Sequence, residues 1–119
     1  MKDPEKSALA VRLSNLMETE RLFLQPELSL QELAQHLQTN PVQLSASINQ
    51  VFGKNFNDYI NSLRIEEFIE KYSADTNRRY TLLSLALYSG FNSMATFNRA
   101  FKKIKGIAPQ EFLQGGKEE

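Results

Sequence analysis

The chain has no cysteine, which removes disulfide frameworks, thiolate metal sites and thiol nucleophiles, and makes the reducing cytoplasm the expected compartment. It has no apolar run long enough to span a bilayer and no basic start followed by an apolar centre, so neither membrane contact nor export is expected of this segment. The one histidine, His36, has no ligand set near it, so it reads as a surface helix residue. No nucleophile–base pair, metal-ligand spacing or glycine-rich phosphate loop is present, and an enzyme is not expected. Glu66, Glu67 and Glu70 read as a solvated helix face rather than as paired carboxylates, and no cofactor is implied.

Two shortages are local. Net charge is zero, yet no Asp or Glu occurs between Thr76 and Gln110, where Arg78, Arg79, Arg99, Lys102, Lys103 and Lys105 lie. Conversely, residues 40–53 contain no Arg or Lys. A patch of one sign on a neutral protein still attracts phosphates, because the local field matters more than the sum. Alternatively, the lysines simply complement the dipole at a helix end.

What is present is helical periodicity over 119 residues, 41% of them apolar, enough for one domain or two very small ones. Leu13, Leu16 and Met17 stripe a helix from about Lys6 to Arg21, with Val11 and Leu24 nearby and Pro26 ending the segment. Residues 1–4 and 115–119 read as frayed ends. Ser29 and Glu32 have capping-box spacing ahead of Leu30, Leu33, Ala34 and Leu37. Asn40 and Pro41 start the next helix. It turns Leu44, Ile48 and Val51 or Phe52 inward, points Val42, Gln43, Ser45, Ala46 and Asn49 outward, and stops at Gly53. A long helix from about Phe56 to Tyr72 carries Phe56, Tyr59, Ile60, Leu63, Phe68 and Ile69 on its apolar face, over ~27 Å at 1.5 Å per residue.

After a polar loop at 73–77 the short-helix pattern returns. Thr81 to Ser89 turns Leu82, Leu85 and Ala86 inward. A turn at Gly90 follows, with Asn92 or Ser93 as cap, then a helix with Phe97, Phe101 and Ile104 inward and Gly106 as its stop. Pro109 opens a last helix with Phe112 and Leu113. Arg78 and Arg79 read as solvated loop residues, and Tyr72, Tyr80 and Tyr88 as the edge of a core.

The two short-helix pairs repeat each other. Leu33-Ala34 matches Leu85-Ala86, and Leu44, Ile48, Gly53 and Tyr59 match Phe97, Phe101, Gly106 and Phe112 after a turn one residue longer in the second copy. Matched positions are core and turn positions, so the repeat speaks to architecture. Two short helices with a turn, the second exposed and cationic, is the helix-turn-helix pattern of DNA readers.

From about Leu28 to Phe112 the chain resembles the AraC/XylS type of bacterial transcription regulators. The resemblance rests on Gly90-Phe91, Phe97, Arg99, Phe101-Lys102-Lys103, Gly106, Ala108-Pro109 and Phe112, together with Gly53-Lys54-Asn55-Phe56, Tyr59-Ile60-Asn61 and Arg64. It implies an all-α fold of about seven helices, with two homeodomain-like helix-turn-helix subdomains joined by a long connecting helix. The expected parts are an N-terminal helix packing on the first unit (1–27), the first helix-turn-helix (28–54), the connecting helix (55–75), the second helix-turn-helix with the final helix (76–114), and a tail (115–119).

The resemblance further implies sequence-specific binding of double-stranded DNA, with the second helix of each unit entering adjacent major-groove segments. The base-reading residues would be Val42, Gln43, Ser45, Ala46 and Asn49, preceded by Pro41, then Ser93, Met94, Ala95, Thr96 and Arg99. The phosphate-binding residues would be Lys54, Arg64, Asn98, Lys102, Lys103 and Lys105. For Arg64 an intrahelical ion pair with Glu67 stands beside that role. Arg can donate twice to guanine, Gln can pair with adenine, and Met or Ala can touch a thymine methyl. RNA polymerase and a separate sensing or dimerisation domain of a longer parent chain are partners of the kind such regulators use. The uncharged first reader departs from the family pattern, and it favours the alternative of a protein-interaction module that keeps the fold with little DNA affinity. Leu85, where the family usually has Ile, is a minor change.

Overall fold

A computed structural model describes residues 3–117. Among them are seven α-helices and no strand. The helices are α1 (Pro4–Glu20), α2 (Leu30–His36), α3 (Pro41–Phe52), α4 (Phe56–Ala74), α5 (Leu82–Tyr88), α6 (Met94–Lys105) and α7 (Pro109–Lys117). The chain divides into two compact units, Met1–Ile60 and Asn61–Glu119, with the boundary inside α4.

Helices α2, α3, α5 and α6 each begin at a side-chain cap with the same spacing. The Ser29 Oγ accepts from the Glu32 N–H at 3.1 Å, the Asn40 Oδ1 from the Gln43 N–H at 2.9 Å, the Thr81 Oγ1 from the Ser84 N–H at 3.0 Å, and the Ser93 Oγ from the Thr96 N–H at 3.1 Å. Each cap satisfies an amide that the helix leaves without an internal acceptor. Of the two caps considered for α6, Ser93 is the one used. The helix stops are equally local: Gly53 (φ 66°) ends α3 and Gly106 (φ 84°) ends α6, both left-handed.

In the first unit, α1 lies along α3. Leu9, Ala10, Leu13 and Met17 are buried, as are Leu33, Ala34, Leu37, Leu44 and Ile48. The seam between α1 and α3 is also polar. The Ser47 Oγ donates to the Lys6 carbonyl, the Asp3 N–H donates to the Gln50 Oε1 at 3.0 Å, and the Gln50 Nε2 donates to the Asp3 carbonyl at 3.1 Å. Phe52, not Val51, takes the inward place, its ring 4.7 Å from that of Tyr59.

The second unit closes on an aromatic core. Phe68, Phe91, Phe97 and Phe101 are fully buried with Ile65, Leu85 and Ala86, and Ile69, Tyr72, Leu82, Ile104 and Phe112 pack against them. The Phe97 ring lies 4.5 Å from Phe68, 5.3 Å from Phe91 and 5.7 Å from Phe101. Such tilted and edge-on pairs add to simple burial.

Several elements differ from the sequence reading. The first helix ends at Glu20, because Arg21 turns left-handed (φ 51°) and a short 3-10 turn at Leu22–Leu24 precedes Pro26. Asp3 and Pro4 are not frayed: Asp3 caps α1, and its carboxyl is held below the usual range, first by the Lys6 ammonium at 3.1 Å and then by the Glu5 N–H. Gly115, Gly116 and Lys117 belong to α7, while residues 1, 2, 118 and 119 of the expected ends lie outside the described residues. Tyr80 and Tyr88 are exposed, with rings edge-on at 6.2 Å, rather than core edge. Arg78 is an exposed loop residue, as expected, but its side chain is tied to nearby backbone. It takes φ 52°, stands 3.7 Å over the Tyr72 ring, and donates to the Tyr72 and Asp75 carbonyls.

Candidate nucleic-acid interface

The two units present their second helices in one register. The caps Asn40 and Ser93, the buried pairs Leu44/Phe97 and Ile48/Phe101, and the stops Gly53/Gly106 are each 53 positions apart (93 − 40, 97 − 44, 101 − 48, 106 − 53). The turns also correspond. The Thr39 N–H donates to the Ala34 carbonyl at 2.9 Å and the Phe91 N–H to the Ala86 carbonyl at 3.1 Å. Both turns pass through positive φ, at Gln38 (56°) and at Gly90 (107°). The expected repeat is therefore a repeat of backbone as well as of core side chains.

This register shows which residues each helix offers to solvent. On α6 the side opposite Phe97 and Phe101 carries Ala95, Arg99 and Lys102, all exposed and spaced i, i+4, i+7, with exposed Asn98 and Lys103 flanking them. On α3 the same places hold Val42, Ala46 and Asn49. Val42 is 76% exposed, Gln43 and Asn49 are exposed, and Ser45 and Ala46 are half-buried. Alanine on α3 thus occupies the position of arginine on α6, and asparagine that of lysine. The charge asymmetry of the sequence lies on equivalent outward faces.

The remaining expected residues divide. Ser93 and Thr96 are half-buried and engage each other, with their hydroxyl oxygens 2.9 Å apart beside the cap bond. Met94 is half-buried against the second core. Lys54 is exposed just beyond the end of α3. Lys105 is half-buried, its Nζ 3.0 Å from the Glu66 Oε2 and 5.6 Å from the Phe112 ring centre.

Arg64 is buried at 8% exposure rather than standing on the surface. Its guanidinium lies 5.9 Å from the Phe91 ring centre and 3.4 Å from the Asn61 Oδ1, and burial lowers its pKa. It lies beside the turn at Phe91 that precedes α6.

Two groups that position the second unit were not read from the sequence. The Asp75 carboxylate accepts from the Arg79 N–H and the Tyr80 N–H, each at 3.0 Å, and so fixes the loop leading into α5. These bonds, Tyr80's foremost, hold its pKa below the usual carboxylate range against the opposing effect of burial. The fully buried Ser89 hydroxyl donates to the Leu85 carbonyl at 2.7 Å. A polar residue before the turn glycine was the only sequence signal for it.

Among the described residues no cluster of His, Cys, Asp or Glu could hold a metal ion, and no helix is long and apolar enough to cross a membrane.

Comparison with known proteins sets this geometry among relatives. A family model described as a helix-turn-helix domain matches residues 33–115. An uncharacterized HTH-type transcriptional regulator of Bacillus subtilis, YtdP, is 31% identical over 88 residues, which is 74% of this chain and 11% of that protein. A similarly named Staphylococcus aureus protein is 31% identical over 94 residues, 76% of this chain and 12% of that one. The chain therefore spans about a tenth of the length of these curated relatives. Among solved structures, a protein of unknown function from Listeria innocua matches with a TM-score of 0.68 and 29% identity over 87% of this chain and 92% of that one. The C-terminal domain of AraT, a response regulator from Geobacillus stearothermophilus, matches with a TM-score of 0.72 and 24% identity over 90% and 84%, a likeness of fold.

Proposed function

The chain belongs to the AraC/XylS-type helix-turn-helix family, whose members bind DNA rather than catalyse, and from that premise we propose that it is the double-stranded DNA-binding part of a bacterial transcription regulator. In this proposal α3 and α6 read adjacent major-groove segments. The observation that carries it is the shared register of two outward helix faces, one of which aligns Ala95, Arg99 and Lys102 against a buried aromatic face.

The roles divide by chemistry. Arg99, near the middle of α6, has the reach and the paired donors for a guanine edge. Ala95 and Val42 offer methyl groups to thymine, while Gln43 and Asn49 offer amides to adenine. Ser45, Ala46, Ser93, Met94 and Thr96 shape the fit, with Ser93 and Thr96 also capping α6. Lys102, Lys103, Asn98 and Lys54 lie on phosphates and set register. Lys105 and Arg64, engaged with Glu66 and Phe91, act mainly by holding the fold. Such a regulator would work in the cytoplasm and depend for signal sensing, dimerisation and contact with RNA polymerase on domains of a longer chain.

Selection of bound duplexes from a random pool, followed by variants, tests this. Arg99→Ala is expected to weaken the selected site by ~1–3 kcal/mol and relax preference at one base pair. Lys102→Ala is expected to weaken all duplexes alike and flatten the salt dependence by about one unit. Failure of the pool to converge, with no salt-dependent binding, would refute the proposal.

A protein-interaction role has one specific observation in its favour. Leu83, Leu87 and Tyr88 leave an apolar face of α5 exposed, with exposed Tyr80 just ahead of the helix. Salt separates the readings, because phosphate contacts weaken steeply as salt rises and an apolar interface does not.

A further inference from the structure

The first reading helix has no cation of its own, but the fold places one beside it. We propose that Arg12 of α1 is a phosphate-binding residue of the first helix-turn-helix, in addition to Lys54 at the far end of α3, which deepens the DNA-binding reading and rests on it.

The polar seam described above binds the start of α1 to Ser47 and Gln50 of α3. Two turns further along, Arg12 reaches the bend between α2 and α3, where its Nη2 donates to the Leu37 carbonyl at 2.6 Å. Leu37 closes α2, and that carbonyl is one of the acceptors a helix end leaves open. The bond uses one of five guanidinium N–H donors and leaves the side chain exposed. It therefore holds a positive charge at the entrance to α3 at little cost in freedom beyond what the bend already imposes.

At that place the surface is concave. A hollow of about 320 Å3 is walled by Arg12, Lys6 and Glu5 from α1, by Gln38 and Thr39 from the bend, and by Gln43 from the first turn of α3. Arg12 thus shares a wall with a residue assigned to base reading. The Thr39 hydroxyl and the Gln43 amide add neutral donors suited to a phosphodiester oxygen, and guanidinium binds phosphate by paired hydrogen bonds. The local charges decide which group dominates. Lys6 is spent on Asp3 at 3.1 Å, so it adds little net field. Glu5 opposes an anion. Arg12 is the wall's effective cation, and the unit acquires from a neighbouring helix the charge that α6 carries on its own surface.

The test is the salt dependence of binding to a random-sequence duplex pool, measured on the wild-type chain, Arg12→Gln, Arg12→Lys and Glu5→Gln, with helicity and melting recorded for each. Loss of one phosphate contact lowers the slope of log affinity against log salt by ~0.9. Arg12→Gln should show that drop, Arg12→Lys should restore it, and Glu5→Gln should tighten binding. A wild-type slope in Arg12→Gln overturns the inference. So does an equal loss in Arg12→Gln and Arg12→Lys at every salt concentration, which would make the residue a brace for the bend. If the wild-type chain itself shows no salt-dependent binding, the DNA-binding reading falls, and this inference with it.

Discussion

Replacing Phe97 by alanine should destabilise the second unit severely, while Arg99→Ala, two residues along the same helix, should leave stability almost unchanged. Phe97 is fully buried, and its ring meets Phe68, Phe91 and Phe101 at 4.5, 5.3 and 5.7 Å. Returning a buried Phe side chain to water costs about 1.5–3 kcal/mol. The void left among three rings costs more, since those rings come from α4, the bend and α6 and cannot all move inward. Together these give ~3–5 kcal/mol, the usual range for Phe→Ala in a core. Arg99 is exposed and makes none of these contacts, so its truncation should stay within ~0.5 kcal/mol. Urea unfolding would measure both. Without tryptophan, tyrosine fluorescence is the local probe; Tyr72, Tyr80 and Tyr88 report on the second unit and Tyr59 on the first. A loss below 1 kcal/mol for Phe97→Ala, or equal losses for the two variants, would refute the assignment of inward and outward faces on which the reading surface depends.

The remaining predictions concern the turns. Gly90→Ala should destabilise by ~1–2 kcal/mol, because φ of 107° is left-handed and unfavourable for any residue with a Cβ; calorimetry would check it, and an unchanged melting temperature would contradict it. The depressed pKa of Asp75 means that its stabilisation is fully present above the ordinary carboxylate value of ~3.9 and is lost as pH falls through its lower folded value. Urea midpoints of Asp75→Asn should therefore fall less steeply on acidification than those of the wild type, and identical slopes would show that the loop clamp is dispensable.

Much of the fold was legible because its signals are local. A Ser, Thr or Asn three residues ahead of a free amide, or a glycine after the last inward residue, acts within one turn of chain, and Asn40, Thr81, Ser93, Gly53 and Gly106 all do so. The inward stripes of α3 and α6 follow from spacing alone. What escaped depended on distant backbone. Ser47 is buried against the Lys6 carbonyl of α1, and Arg64 lies buried near the Phe91 ring and Asn61. Arg12 carries no local signal, since the carbonyl it meets lies 25 positions away. Tyr80 and Tyr88 misled in the other direction. Aromatic residues usually favour burial, yet the core of this unit is filled by phenylalanines and leaves both tyrosines outside.

The central claim is that two helix faces in one register read one duplex, and affinity for a pool-selected duplex against a scrambled one, measured across ~50–200 mM salt, tests it most directly. The expected result is preference for the selected duplex at every salt concentration, a steep fall for both with rising salt, and a reduced preference in Arg99→Ala. Equal affinity for the two duplexes, or binding indifferent to salt, would contradict it.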